Sequence, residues 1–153
     1  MNKTIQARLD AAGISLPAQG TPRWSYVPYR RAGKIAFFSG KTTLVNGAVQ
    51  LPGLLGDLDV PTGQEAARIA TSNLLSQIDQ EVGLENVEAV LKLTGYVAST
   101  PTFTEQALVI EAASTLLLDV LGSAGEHSRL AIGVASLPGG SAVEVECVVL
   151  LAD

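Results

Sequence analysis

The sequence of 153 residues has little of the chemistry that most metal and nucleophilic sites need. It contains one cysteine, Cys147, and one histidine, His127. A single cysteine excludes an intrachain disulfide, and with a single histidine it cannot complete a typical zinc or iron–sulfur site. We therefore expect no metal, a buried inert thiol at Cys147 and a surface loop position for His127.

Charge is also scarce, and its balance is acidic. Charged residues make up 16% of the chain and the net charge is −5. Sequence-independent binding of nucleic acid needs a basic surface, so we do not expect nucleic acid as a partner. No apolar run reaches the ~20 residues of a membrane span, since Glu111 and Asp119 interrupt the best candidate, 107–121. The N-terminus lacks the apolar core of a secretory signal. We expect a cytoplasmic protein that does not cross a membrane.

What the chain has in abundance is apolar surface. Hydrophobic residues make up 47% of it, and the mean hydropathy is +0.31. A chain of this length suits a single domain, 1–153, that buries roughly 70% of its unfolded surface. The excess of apolar residues suggests that part of the folded surface is covered by other subunits.

Turn and capping signals divide the chain into alternating strands and helices. Residues 1–23 are predicted to hold a short helix and a Pro- and Gly-rich connection, an appendage to a core at 24–151. The core is predicted to be an α+β sheet with two helices on one face. The first predicted elements are a helix at 4–12, strands at 24–27 and 34–39, and a hairpin of 42–45 with 48–51. Two longer helices follow, one beginning with a capping box at 62–65 and ending at Gly83, the other beginning with a capping box at 102–105 and ending at Gly122. A strand at 87–98 lies between these helices, and two strands end the chain.

The last strand has two different faces. Alternation places Val143, Val145, Cys147, Val149 and Leu151 on one side, which belongs against the helices. The other side carries Glu144, Glu146, Val148 and Leu150. A face that is half apolar and half acidic fits packing against neighbouring subunits, with the carboxylates lining a wet pocket.

The tetrapeptide Ser39-Gly40-Lys41-Thr42 resembles the end of a phosphate-binding P-loop. That motif needs a glycine five residues before Gly40, where the chain has Ile35, and it must open a helix rather than a hairpin. We therefore interpret Ser39 and Gly40 as a strand end whose hydroxyl and backbone N–H could contact a small anion.

Arg129 and Glu144 are charged residues on otherwise apolar strands. Burying an unpaired charge is costly, so each is either solvent-exposed, paired in a salt bridge or used on a ligand, and the residues alone leave these alternatives open. If the last two strands formed a simple hairpin, Arg129 would lie about 20 Å from Glu144 along the strand at ~3.3 Å per residue. The two could share a pocket only if the strands are not neighbours or the pocket spans two subunits.

The chain resembles the YjgF/RidA family, often labelled endoribonuclease L-PSP, in its longer branch. The resemblance covers 24–151 and rests on Arg129, Gly133-Val134, Leu137-Pro138 and 143–146, with Tyr26, Gly33 and 38–40 upstream. It implies a chorismate-mutase-like fold, a homotrimer and small carboxylate-bearing metabolites bound in clefts between subunits. Well-characterised members hydrolyse enamines and imines, such as 2-aminoacrylate, to 2-keto acids and ammonia without a cofactor.

The resemblance also implies roles for individual residues. Arg129 matches the arginine that grips the substrate carboxylate, and Glu144 matches the glutamate that positions or activates water. Tyr26 would wall the pocket, with Ser39 and Gly40 supplying polar contacts. Departures from the family pattern stand at Leu130, Lys41 and Glu111. Non-catalytic binding of small carboxylates is the alternative function, and endoribonuclease or translation-inhibitor activity has less support because the chain is acidic and has one histidine.

Overall fold

A five-stranded mixed sheet with helices on one face dominates the computed structural model, which describes residues 2–152. This confirms the predicted α+β class. The helices are α1 (Lys3–Ala11), α2 (Val60–Val82) and α3 (Gln106–Leu121), and the strands are β1 (Tyr29–Ala32), β2 (Ile35–Lys41), β3 (Leu44–Val45), β4 (Ala48–Val49), β5 (Val87–Ala98), β6 (Ser128–Val134) and β7 (Val143–Leu151).

The order of the strands decides where the functional candidates lie. The sheet runs β1-β2-β7-β5-β6, with β5 and β6 parallel and the other neighbours antiparallel. β5 therefore separates β6 from β7, and the simple hairpin of the last two strands does not form. The connection from β5 to β6 is α3, as a parallel crossover requires.

The sheet has a covered face, on which α2 and α3 pack, and an open face opposite it. On β7 the predicted alternation is confirmed: Val143, Val145, Cys147, Val149 and Leu151 are buried in the core on the covered face. The intervening side chains of Glu144, Glu146, Val148 and Leu150 lie on the open face and are partly exposed.

Helix ends show which local signals determine the boundaries. Asp59, not the predicted capping box at 62–65, begins α2: its side chain accepts a hydrogen bond of 2.9 Å from the backbone N–H of Thr62. Hydrogen bonding with Thr62, first with its side chain and then with its backbone N–H, lowers the pKa of Asp59. Glu105 precedes α3 without a capping bond from its side chain, so the second capping box is also wrong. Gly83 and Gly122 end the two helices as predicted.

The N-terminal third contains two further differences from the prediction. The first strand is Tyr29–Ala32 rather than 24–27, and the Tyr29 ring stacks on that of Phe38. Trp24 is 79% exposed, so the aromatic residues that suggested an earlier strand do not pack into the core. Helix α1 packs against α3 and adds Ile5 and Leu9 to the core, which an appendage would not do.

The hairpin of β3 and β4 forms where the dipeptide Asn46-Gly47 predicts it. Both residues have positive φ, 51° and 82°, as a type I′ turn requires. Farther along the chain, residues 106–125 are long and apolar enough to cross a membrane by length and composition, with a mean hydropathy of 1.6. The helix in that stretch, α3, packs against α2 and the sheet with one side in the core, which identifies it as a core helix.

Candidate functional site

Arg129 lies on β6, the edge strand, and its side chain turns toward α3. Its Nη1 donates to Glu111 Oε2 at 2.6 Å and to Ser114 Oγ at 3.1 Å. The Arg129 side chain retains 26% exposure. It lines an open cleft of about 310 Å³ together with Ser114, Leu118, Glu126 and His127. Arg129 is therefore both held in place and accessible.

His127 continues the hydrogen-bonded chain that begins at Arg129. Its Nδ1 lies 2.6 Å from the carbonyl oxygen of Gly125, which can only accept, so Nδ1 carries a proton. In the neutral ring Nε2 then accepts from the Ser114 hydroxyl, at 2.9 Å. The loop position of His127 is as predicted, but the ring is partly buried and both nitrogens are engaged. Ser114, which nothing in the sequence marked, links the imidazole to the guanidinium.

Glu144 lies on the open face, directly against Gly40. A Cβ at Gly40 would collide with Glu144 Oε1, so the missing side chain at position 40 makes room for this carboxylate. Burial, and secondarily the negative charge of Glu146, raise the pKa of Glu144. The structure thus brings two of the predicted site residues into contact and makes one of them a stronger base than an ordinary carboxylate.

Ser39 and Tyr26 lie at the same end of β2. The Ser39 hydroxyl donates to the carbonyl oxygen of Val27 at 2.8 Å. The Ser39 backbone N–H donates to the carbonyl oxygen of Pro28 at 2.9 Å. These bonds attach the segment that carries Tyr26 to the strand. Tyr26 itself is 52% exposed. Between Phe38 and Lys41 the pairing of β2 with β7 is irregular, which lets Gly40 face Glu144.

Lys41 lies apart from these residues, although it follows Gly40 directly. Its Nζ donates to Gln77 Oε1 at 2.5 Å and to Gln19 Oε1 at 3.2 Å, under α2 on the covered face. Burial lowers the pKa of Lys41, against an opposing effect of Glu81. Lys41 therefore ties β2 to α2 and the N-terminal connection.

Within one chain, Arg129 and Glu144 lie on opposite faces of the sheet. Arg129 is in register with Leu93 and, through it, with Cys147, both buried on the covered face. Glu144 is in register with Tyr96 on the open face. Two strand spacings across and three residues along give a separation of about 14 Å between their backbone positions. A single chain does not bring them into one pocket.

Glu146 has a partner that the sequence did not reveal. The Tyr96 hydroxyl donates to Glu146 Oε1 at 3.1 Å across β5 and β7. Burial, followed by this hydrogen bond and the charges of Glu146 and Glu144, raises the pKa of Tyr96. The pairing follows from strand register, which the sequence does not specify. In residues 2–152 no group of three or more His, Cys, Asp or Glu side chains could hold a metal ion.

Known proteins resemble the chain over almost its whole length. Residues 6–152 match the family described as YjgF/chorismate mutase-like, putative endoribonuclease. Protein TCP17 of Trypanosoma cruzi is 41% identical over 150 residues, covering 96% of this chain and 94% of the relative. The crystal structure of Atu1372 of Agrobacterium tumefaciens, a protein of unknown function, is similar, with 39% identity and a TM-score of 0.89 over 97% of this chain and 94% of that one. A putative endoribonuclease of Shewanella oneidensis is also similar, with 32% identity and a TM-score of 0.92 over 97% of this chain and 100% of that one.

Proposed function

The chain belongs to the YjgF/chorismate mutase-like family, and on that premise we propose that it hydrolyses reactive 2-imino or 2-enamino acids to 2-keto acids and ammonia. The observation that carries the proposal is the state of Arg129, a guanidinium held through one nitrogen at the wall of an open cleft. Such a planar fork binds a carboxylate through two parallel charge-assisted hydrogen bonds. Arg129 is the proposed carboxylate anchor.

Glu144 is the proposed general base. In the reaction a water attacks the imine carbon while Glu144 accepts one of the water's protons, and Glu144 then returns that proton to the nitrogen. The carbon–nitrogen bond breaks to release ammonia as the remaining hydroxyl proton leaves and the carbonyl of the keto acid forms. The partial burial that raises the pKa of Glu144 makes it a better proton acceptor. Gly40 leaves the space that this carboxylate occupies, while Ser39 and Tyr26 border the same strand end.

The proposal includes a homotrimer, with the substrate in clefts between subunits. Large apolar side chains on the open face support it: Ile35, Phe37, Leu130 and Ile132 are 37–54% exposed. Packing of neighbouring copies would bury them. Arg129 and Glu144 lie on opposite faces of the sheet in one chain. A site between subunits would place Arg129 of one subunit near Glu144 of another. A cytoplasmic location remains part of the proposal.

Turnover of freshly generated 2-aminoacrylate tests the chemistry. We expect the wild-type protein to accelerate release of ammonia and keto acid, Arg129→Ala to abolish the acceleration, and Glu144→Gln to reduce it by about 10² to 10⁴. Glu65→Gln, at an exposed position of α2, is the matched control and should retain full activity. No acceleration by the wild type, or equal acceleration by Arg129→Ala, would refute the proposal.

Mixed oligomers test whether the site is shared. Arg129→Ala and Glu144→Gln subunits are unfolded together at equal concentrations, refolded and assayed. If each site takes Arg129 from one subunit and Glu144 from a neighbour, random assembly restores about a quarter of the wild-type sites. If both residues act from the same chain, the mixture stays inactive.

Non-catalytic binding of small carboxylates is the second candidate. It is favoured by the fact that residues of one chain line the Arg129 cleft, whereas Glu144 lies on the opposite face of the sheet. Binding of keto acids that depends on Arg129, without turnover of any imine, would establish this alternative. Ribonuclease activity has less support, because the chain is acidic and its one histidine is bonded at both nitrogens.

A further inference from the structure

We propose that the Arg129 cleft carries a second activity, the hydrolysis of short-chain carboxylic esters, in which Ser114 is the nucleophile and His127 the general base. This activity needs neither Glu144 nor a neighbouring subunit, so it goes beyond the proposed imine hydrolysis and can be tested separately. It also assigns a function to two residues of the cleft that the imine reaction does not use.

The first observation is the direction of the Ser114 hydroxyl. A serine inside a helix often donates to the carbonyl oxygen four residues earlier. Ser72 of α2 does so, to Arg68 at 2.8 Å. Ser114 lies inside α3, but its Oγ is 2.9 Å from His127 Nε2 and 3.1 Å from Arg129 Nη1. The hydroxyl is therefore directed away from its own helix and toward the cleft that Ser114 lines.

The second observation is the arrangement around the imidazole. Nδ1 of His127 donates to the carbonyl oxygen of Gly125 at 2.6 Å, which leaves Nε2 to accept the hydroxyl proton of Ser114. A nucleophile within about 2.6–3.2 Å of a base that is oriented by a third group is the arrangement that activates a serine. The proton that His127 is placed to take is thus that of Ser114.

The third observation is how the orienting carbonyl is fixed. A Cβ at Gly125 would collide with the carbonyl oxygen of Leu117, which is a backbone atom of α3. Only glycine lets the turn at 122–125 approach the helix this closely. One helix and the turn that follows it therefore hold the nucleophile, the base and the group that orients the base. Because the carbonyl of Gly125 carries no full charge, it stabilises an imidazolium less than an aspartate would, and we expect slow turnover.

The cleft beside these residues suits a small ester. Its volume is about 310 Å³, and Leu118, which is 43% exposed, provides an apolar wall for a short acyl chain. The guanidinium of Arg129 lies next to the Ser114 oxygen. Its positive charge is therefore close to the ester oxygen that becomes negative during the attack, where it stabilises the tetrahedral intermediate.

The reaction proceeds through an acylated serine. Ser114 Oγ attacks the carbonyl carbon of the ester while its proton passes to His127 Nε2. The bond from this carbon to the leaving oxygen then breaks, and that oxygen takes the proton from His127 and departs as an alcohol. Water attacks the acylated Ser114 and gives a proton to His127, and the bond to Oγ breaks as Oγ takes that proton back. The products are a carboxylic acid and an alcohol.

Hydrolysis of 4-nitrophenyl acetate and labelling with a fluorophosphonate probe test this activity. The probe bonds its phosphorus to an activated serine oxygen and releases fluoride, and mass spectrometry of the digested protein locates the label. We expect the wild type to hydrolyse the ester and to be labelled at Ser114. Ser114→Ala and His127→Gln should each lower the rate by about 10² to 10⁴ and lose the label. Ser72→Ala removes a hydroxyl of similar burial and is the matched control, which should keep both.

Ser114→Cys distinguishes the loss of a nucleophile from a loss of packing, because it keeps a nucleophile beside the imidazole. It should still be acetylated by the ester at position 114. A folded wild type that neither hydrolyses the ester nor takes the label, or hydrolysis that is equal in Ser114→Ala, would overturn the second activity. Neither result bears on imine hydrolysis, which is measured with a different substrate. A circular dichroism melt of each variant shows whether a loss reflects unfolding.

Discussion

The covered and open faces of the sheet are built from the same strands but meet different demands. On the covered face, residues such as Leu93 and Val145 are fully buried against α2 and α3. On the open face, Phe37 is 54% exposed and two glutamates lie close together on β7. The first face is explained by burial within one chain. The second carries the apolar and acidic side chains that the proposed neighbouring copies and ligand would contact. The sheet therefore separates packing within the chain from the proposed contacts between chains, whereas the proposed anchor Arg129 lies on the covered side.

Two leucines in adjacent strands test that separation with the largest expected effect. Leu93 is fully buried on the covered face, and Leu130 is 44% exposed on the open face. Leu93→Ala should lower the free energy of unfolding by about 2–5 kcal/mol, through lost burial and the cavity left behind. Leu130→Ala should cost the isolated chain about 0.5 kcal/mol or less. Urea titrations give both values.

Protein concentration distinguishes the two leucines further. If the open face packs against other copies, Leu130→Ala weakens association, and its melting temperature should fall more steeply on dilution than that of the wild type. Leu93→Ala should keep the wild-type dependence on concentration. A large, concentration-independent loss at Leu130 would show that the open face is covered within the chain, and the comparison would fail.

Two glycines give the next largest effects. Gly95 faces the side chain of Ile110 on α3, and Gly40 faces Glu144, each too closely for a Cβ. Gly95→Ala should cost about 1–3 kcal/mol of stability through overpacking. Gly40→Ala should instead displace Glu144 and reduce turnover about a hundredfold, the cost of a misplaced catalytic group.

Gly20→Ala is the control for both glycine variants, since nothing lies within 4 Å of a Cβ at that position. It should leave melting temperature and turnover unchanged. If Gly40→Ala lost stability but kept full activity, the position of Glu144 would not matter to the reaction, and its role as general base would be wrong.

The covered face could be predicted from sequence because its signals are local. Alternation on β7 identified the buried side chains, and Gly83 and Gly122 marked the ends of two helices. Local signals also failed where several residues competed for one role: Asp59 rather than Thr62 caps α2, because its side chain reaches the free N–H of the first turn. The aromatic residues within 24–27 suggested a strand, but no neighbouring strand pairs with this segment.

The candidate site could be predicted only in part, because it depends on which strands become neighbours. Register across β5 places Arg129 level with Cys147, and Glu144 lies three residues from Cys147 and hence on the other face. Spacing along the chain cannot show this. The contacts of Arg129 with Glu111 and Ser114, and of Tyr96 with Glu146, join residues 15 to 50 positions apart in sequence. Such contacts follow from register and helix docking rather than from a motif.

The smallest expected effect concerns the protonation of Glu144 on the open face. Its pKa is raised above the ordinary value of 4.5 by burial and by Glu146. As pH rises through the window between the two values, the unfolded chain loses this proton before the folded chain does. The folded state then binds more protons, so this residue's contribution to stability falls as pH increases. Glu144→Gln removes that loss.

Urea denaturation of the wild type and Glu144→Gln between pH 4 and pH 8 isolates this contribution, because both proteins share every other titrating group. The variant should gain stability relative to the wild type as pH rises from 4.5 through the folded pKa of Glu144, and the difference should then stay constant. Asp59, on the side of the helices, has a lowered pKa and acts in the opposite sense, stabilising above its unfolded pKa. The contribution of Asp59 is the same in the wild type and in Glu144→Gln, so it cancels in the difference between them. A difference that is independent of pH would mean that Glu144 ionises as freely as an exposed carboxylate, and the open face would then lack the partly desolvated base that the proposed reaction needs.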